Sequence, residues 1–595
     1  MEGYKLNNNN TNTEYIFNSP DYNHIMVQYS GNIPKVPKND KGLYITEVNN
    51  NYAIISLKID IIELEDQIVS NKDTKYIRGI LEKYLDIGDF KIIYIIPPQL
   101  YTLQEISAID AAQVSTVGIN TPLNLSGEGV IVGIIDTGID YLNDEFRDEN
   151  GKSRIISIWD QTIQSNESEL KGVPFGSLYT NEEINKAIEA YELGENPYNI
   201  VPSKDLNGHG TGMAGIVGAT GKNKEIKGIA PKCEFVIIKL SEANRTKKLL
   251  NTNTPIFELT AIFPAIEYLK KVLLNKKIPV VVLLPLGSNN GDHKGNNLFD
   301  GYIESISSNV GIVIVTGAGN EGNRDEHVSG IIRNSNKEET INLFVEENQR
   351  YMGIEIWIDL PSIVDINLVS PSGEETGFIQ AAINVQRDNK FIFEKTQTRI
   401  SYFLPEEYAG NELISIYFAN IASGIWQIKL KLRSGEMAKY NAWLWQYGLS
   451  LPNTRFSPSD PYGTITTPGD SNFVVTVAAY NQNNNNLLTY SGLSFRQEYI
   501  NKIDFAAGGV NTMTVGLNNS TQIINGTSLS AAIGAGACVL LFQWGIVQGN
   551  YPYMYSQSIK TFLTRGVTKR GKDSYPNPEL GYGILNFYKI FENMI

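Results

Sequence analysis

The sequence predicts an α/β protein: a parallel sheet with helices on both faces, a small α+β unit before it, and an all-β domain inserted within it. Buried runs, all but the second running into glycine, such as "GVIVGIIDTGID", "CEFVIIKL", "IPVVVLLPLG" and "VGIVIVTGAGNEG", alternate with helical patterns such as "GHGTGMAGIVGA" and "ELTAIFPAIEYLKKVLL". Near-continuous apolar strands separated by helices mark a sheet covered on both faces. That rhythm stops over 328–455, where short strands such as "FIFEK" and "GIWQIKLKLR" are spaced by turn signals such as "SPSGE" and "LRSGE", and then resumes.

Taken in order, residues 1–104 form the first unit. After an Asn-rich start (7–10), "HIMVQYS" reads as a strand, and "GLYITEV" and "YAIISLKI" read as a hairpin across "NNN". "TKYIRGILEKYL" (74–85) has helical spacing, and "FKIIYII" (90–96) is a further strand. The double proline of "PPQLYTLQ" disfavours helix, so an extended tail follows. The α/β domain then occupies 105–327 and 456–595, around the inserted β domain at 328–455.

The chain has 595 residues, 42% apolar and 19% charged, and a net charge of −14. That charge argues against nucleic acid or an anionic membrane as the main partner. Two cysteines, Cys233 and Cys538, both in apolar surroundings, exclude a disulfide framework. The N-terminus lacks a basic start and an apolar stretch, so no secretory signal is expected, and no apolar run is expected to reach the length needed to cross a bilayer. A protein made in the cytoplasm follows as the expectation.

Four glycine-flanked stretches carry chemistry. In "VGIIDTGID", Asp136 ends a buried strand, where a carboxylate must be paired or must cap the next turn. In "NGHGTGMAG", His209 stands between two glycines at a helix start. The other histidines (His24, His293 and His327) lack such settings and read as structural. In "VTGAGNEG", Asn320 follows a strand, either as a turn residue or as an oxyanion donor. In "NGTSLSAA", Ser528 opens an apolar helix, either as its N-cap or as a nucleophile beside the positive end of the helix dipole.

The chain order Asp, His, Ser is one of the few used by this triad. With "DTG", "GHGT", "AGNEG" and "GTS" around these residues, the chain resembles the subtilase family of serine proteases from about 105 to 595, the insertion set aside. "GIAPKCEFVIIKL" (228–240) also looks like that family's strand after the His helix. The resemblance implies a subtilisin-like fold and peptide-bond hydrolysis, with Ser528 attacking, His209 moving the proton, Asp136 orienting it and Asn320 holding the oxyanion. Ala532 and Ile533 stand where many subtilases have Pro and His, Gly212 replaces a second His, and Ala507 a proline. None carries the proton relay. The 73-residue spacing from Asp136 to His209 leaves room for an extra surface loop within 160–204.

"SRIISIWDQTI", "NNGDHKG" and "GTSLSAAIGAGA", together with the insertion, resemble the Csp germination proteases of clostridial spores. That resemblance implies a prodomain (1–104), a jelly-roll-like insertion, packaging in the bacterial spore and limited proteolysis of a cortex-lytic hydrolase precursor. Some members are pseudoproteases, which leaves a germinant sensor as one alternative; a general degradative protease is the other. The tail "LYTLQEISAID" is expected to lie in the cleft by strand addition, with Pro285, Leu286 and Gly287 and with Gly317, Ala318 and Gly319 as edges. Tyr101 then takes the subsite four residues before a cut at Gln104–Glu105. Pro285 lacks an N–H, so one pairing bond is expected to be missing. Trp426, Trp443 and Trp445 read as core more than as a binding surface. Calcium is common in subtilases, but no aspartate loop here has ligand spacing, so neither metal nor cofactor is expected.

Overall fold

The computed structural model describes residues 16–34, 42–58, 88–96, 99–103, 123–164, 172–333, 337–383 and 385–592. The expected helix at 74–85, the Asn tract at 7–10 and both Gln104 and Glu105 lie outside the described residues.

Alternate side chains of a strand point to opposite faces, and in the central strands both sets are apolar. In Ile131–Asp136, Val132 and Ile134 join a cluster that includes Met213 and Val217 of helix His209–Gly218 and Leu529 and Ile533 of helix Thr527–Phe542. Ile131 and Ile135 join a second cluster, with Ile262, Phe263 and Ile266 of Leu259–Lys276 and Ile303 and Ile306 of Leu298–Ser307. This is the sheet with helices on both faces that the sequence predicts.

Its parallel strands run in the spatial order Phe505–Gly508, Val475–Asn481, Ile312–Gly317, Val280–Leu283, Ile131–Asp136, Glu234–Lys239 and Ile155–Asp160, within an 11-stranded sheet. From Ile131–Asp136 the chain builds first to one side and later to the other. The order therefore reverses at that strand, and ligands gather beyond the carboxyl ends at such a point. Asp136 is its last residue.

Residues 160–204 hold more than the expected surface loop. Ser177–Thr180 pairs antiparallel with Ile155–Asp160 and leads into helix Asn181–Glu192. A reciprocal capping box between Thr180 and Glu183 closes that helix start, and its signal is readable in "TNEE".

The N-terminal unit is a four-stranded antiparallel sheet ordered Leu43–Asn49, Tyr52–Lys58, Tyr22–Ser30 and Lys91–Ile95. One face of it rests on helix Leu259–Lys276, with the Tyr52 ring 4.7 Å from that of Phe263. The tail continues as strand Leu100–Leu103.

The inserted unit packs a six-stranded antiparallel sheet, with His327–Ile332 at one edge beside Ala438–Leu444 and Gln386–Lys390 at the other, on a four-stranded one that includes Gly424–Ser434. "FIFEK" does not form the expected strand: Phe391–Lys395 turns between Gln386–Lys390 and Gln397–Phe403. Trp426 and Trp443 are buried, the latter stacked between His293 (4.1 Å) and His327 (4.6 Å).

One expectation needs correction. The stretch Thr527–Val547 has a mean hydropathy of 1.7 and is long enough to cross a bilayer by length and composition. Its most apolar part is 83% buried inside the protein, because this helix packs against Ile312–Gly317 and Val475–Asn481 from one face of the sheet.

Candidate active site

Two helix starts and two strand ends meet at the reversal point. His209 Nδ1 lies 2.9 and 2.8 Å from the two carboxylate oxygens of Asp136, and both residues are buried. The Thr137 N–H donates to the same carboxylate at 2.6 Å. Asp136 therefore both meets the imidazole and caps its turn, so the two readings left open by the sequence hold together.

Glycine makes this approach feasible. A Cβ on Gly210 would sit 2.2 Å from the Gly138 carbonyl oxygen, so the His helix could not come this close to the Asp136 turn with any larger residue. Gly208 caps that helix at φ +91°, a backbone region that penalises side chains.

Asp205, which the sequence reading missed, organises the loop before the histidine. Its Oδ1 accepts from the N–H groups of Asn207 and Gly208 and from the Thr137 hydroxyl. Its Oδ2 accepts from the N–H and hydroxyl of Thr211 at 3.0 and 2.7 Å. One buried carboxylate thus ties the Asp136 turn to the His209 helix. The signal was an Asp just ahead of a helix start, the ordinary pattern of a cap.

Ser528 is the second residue of helix Thr527–Phe542, whose N-cap is Gly526 at φ 122°. Ser528 is therefore not the cap, and the capping explanation for it falls. Its side chain is fully buried, and its hydroxyl donates to the Pro285 carbonyl at 3.3 Å. Asn320 follows Gly319, which itself takes the left-handed conformation at φ +92°. The Asn320 Oδ1 accepts from the N–H and hydroxyl of Thr527 at 3.3 and 3.2 Å. Committing that oxygen orients the amide so that its NH2 is the end presented as a donor.

Strand Leu100–Leu103 lies between two edges. Leu103 and Thr102 pair antiparallel with Leu286 and Gly287, while Tyr101 and Leu100 pair with Phe257 and Glu258. The Pro285–Gly287 edge is the expected one. The second edge differs: Gly317 continues the parallel sheet beside Val477, and Gly317, Ala318 and Gly319 do not pair with this strand. Phe257–Glu258 takes that place because it runs extended into helix Leu259–Lys276 beside the tail. Tyr101 is fully buried, near the Phe299 ring, and its hydroxyl donates to Gln99 at 2.7 Å.

The remaining histidines are structural. His24 bonds the Ser56 hydroxyl, and burial holds its ring at about 4, below the ordinary value. His293 and His327 meet backbone carbonyls and Trp443. Burial pushes the Cys233 thiol up to about 11, away from thiolate chemistry. Among the described residues, no group of three or more His, Cys, Asp or Glu side chains is arranged to hold a metal.

Comparison with known proteins bears on this geometry. The subtilase family model matches residues 127–342 and 453–583, leaving out the stretch between, which belongs to the inserted sheets. A solved structure described as the Clostridium perfringens CspB protease superposes with a TM-score of 0.70 at 29% identity, over 82% of this chain and 97% of that one. A PII-type proteinase of Lacticaseibacillus paracasei is 25% identical over 211 residues. That match covers 34% of this chain and spans 10% of the relative's length.

Proposed function

Because the chain belongs to the subtilase family, a family of serine endopeptidases, we propose that it cuts itself after Gln104 and then acts by limited proteolysis on a protein precursor. Ser528 Oγ attacks the scissile carbonyl, and His209 Nε2 takes its proton and returns it to the leaving amine. Asp136 on Nδ1 fixes the tautomer and stabilises the imidazolium. The Asn320 amide donates to the developing oxyanion, an interaction whose loss typically costs about 10²–10³ in rate.

The observation that carries the reading is the position of the tail. Strand Leu100–Leu103 ends opposite Leu286, next to Pro285, whose carbonyl accepts from Ser528. The described strand thus leads to the nucleophile and stops one residue short of Gln104. Pro285 has no N–H to donate, so pairing weakens where the bond would be cut.

The likeness to the CspB protease supports the narrower assignment. On it, residues 1–104 are a prodomain, the insertion is jelly-roll-like, and the target is a cortex-lytic hydrolase precursor packaged with the enzyme in the spore. A fluorophosphonate probe tests the enzymatic step. Labelling of the wild type and not of Ser528→Ala is expected, and an unlabelled wild type would contradict it. Rapid digestion of casein would replace limited proteolysis by a degradative role.

A second reading, a sensor on a subtilase fold, draws on one fact: Ser528 is fully buried and its cleft is already filled by the Leu100–Leu103 strand. It predicts no labelling.

A further inference from the structure

Beyond Gly287 the described cleft edge stops, yet the tail strand continues back through Tyr101 and Leu100. On that side Leu100 has no backbone partner from the Leu286–Gly287 strand. A side chain of the inserted unit takes over. Gln446, fully buried just after strand Ala438–Leu444, donates from Nε2 to the Leu100 carbonyl at 2.6 Å and to the Gly287 carbonyl at 3.2 Å. A carboxamide nitrogen carries two N–H donors, and both are used here. Its Oε1 accepts from the Asn289 N–H at 3.3 Å, which fixes which end of the amide faces the strand.

The Leu100 side chain enters an apolar cluster drawn from two domains. Ala243 and Ile256 come from the α/β domain, and Tyr417, Trp445 and Leu449 from the insertion. Leu100 itself is 5% exposed. The indole of Trp445 lies flat on Gly353, where a Cβ would meet its Nε1 at 2.3 Å. The turn after it is held by the Leu449 and Ser450 N–H groups, which both donate to the Gln446 carbonyl. The pocket is therefore built on fixed backbone and does not depend on a mobile loop tip.

We propose that the inserted β unit supplies a fifth subsite of the substrate cleft, in which Gln446 holds the backbone carbonyl of the residue five before the cut bond and Tyr417, Trp445 and Leu449 receive its aliphatic side chain. This rests on the proteolytic reading with cleavage after Gln104. It defines the substrate class as extended protein segments with an aliphatic residue followed directly by an aromatic one. A charged residue at the fifth position would have to be desolvated in that apolar pocket, which is costly. The insertion then acts in substrate selection as well as in packing.

The test uses the full-length chain and fluorogenic amides of the peptides LYTLQ and DYTLQ, with fluorophosphonate labelling of Ser528 run in parallel. The wild type is expected to favour the leucine peptide by about tenfold or more in kcat/KM, the scale on which pocket contacts discriminate. In Trp445→Ala that ratio should fall toward one. Gln446→Met, close in shape, removes the donor to a backbone carbonyl that both peptides carry, so kcat/KM is expected to fall about fivefold for both with the ratio kept, and this variant serves if the tryptophan variant does not fold. A wild-type ratio near one, or an unchanged kcat/KM for both peptides in Gln446→Met, overturns the subsite. Labelled Ser528 with neither peptide cleaved overturns it as well, because the cleft would not take segments in trans. An unlabelled Ser528 removes the proteolytic reading itself and the subsite with it.

Discussion

The two ends of the cleft are built in different ways. At the chemical end, Asp136, His209, Asn320 and Ser528 each sit in a short glycine-flanked stretch, because backbone must approach backbone closely: Gly210 against the Gly138 carbonyl is the clearest instance. At the far end, Leu100 is held by Gln446, 346 residues away, and by side chains from two domains. Close approach leaves a local mark in the sequence, whereas a pocket assembled by packing leaves none. The comparison teaches that the catalytic end constrains residue identity, and the selective end constrains only shape and polarity.

That contrast can be sharpened by substitution, beginning with the largest effect. Asp136→Asn leaves the shape but favours the wrong imidazole tautomer, so processing should slow about 10⁴-fold, read from the time course of tail release by gel. Asn320→Ala should slow it about 10²–10³-fold at a smaller cost in stability, about 1 kcal/mol, from the two long bonds that its Oδ1 accepts from Thr527. An equal loss in stability would mean that Asn320 is a turn residue after all.

Asp205→Asn replaces an acceptor oxygen that serves both donors of Thr211 by a group that cannot accept. Two to three charged hydrogen bonds are weakened, and a loss of about 2–4 kcal/mol is expected. Denaturant unfolding measures it, and a loss confined to activity would make Asp205 a positioning residue only.

The smallest effect is a pH dependence where the N-terminal unit meets the protease. Burial pushes the Glu258 carboxyl up to about 7, with Thr260, Arg245 and Thr246 opposing. The folded chain keeps a proton that the unfolded chain releases above about 4.5, so this group lowers stability as pH rises from about 4.5 to 7. His24, held at about 4 by burial, works the other way, lowering stability as pH falls from 6.5 toward 4. Glu258→Gln should remove this group's fall with rising pH and gain about 1–2 kcal/mol on the wild type between pH 5 and pH 8, a full desolvation shift being reduced by partial exposure. Parallel melting curves at the two pH values would remove Glu258 from the account.

Much of the architecture was legible because its signals are local. Doubly covered strands read as unbroken apolar runs, and the insertion announced itself by a change of period and by turns such as "SPSGE". The misses share a physical origin. Helix Asn181–Glu192 lies in a polar stretch whose capping box is easily read as loop, and "FIFEK" has strand composition but folds as a turn because its neighbours pair with each other. Thr527–Phe542 is apolar on every side because it is enclosed on every side, and composition cannot separate that from a membrane span. The Phe257–Glu258 edge was invisible because two residues suffice to pair with the tail, and no periodicity exists at that length.

The central claim is that Ser528 cuts the chain that lies in its own cleft. Intact mass of the purified wild type beside Ser528→Ala tests it most directly. A wild type split after Gln104, with the alanine variant whole, is the predicted result. Both proteins whole, or both cut at the same bond, would contradict it.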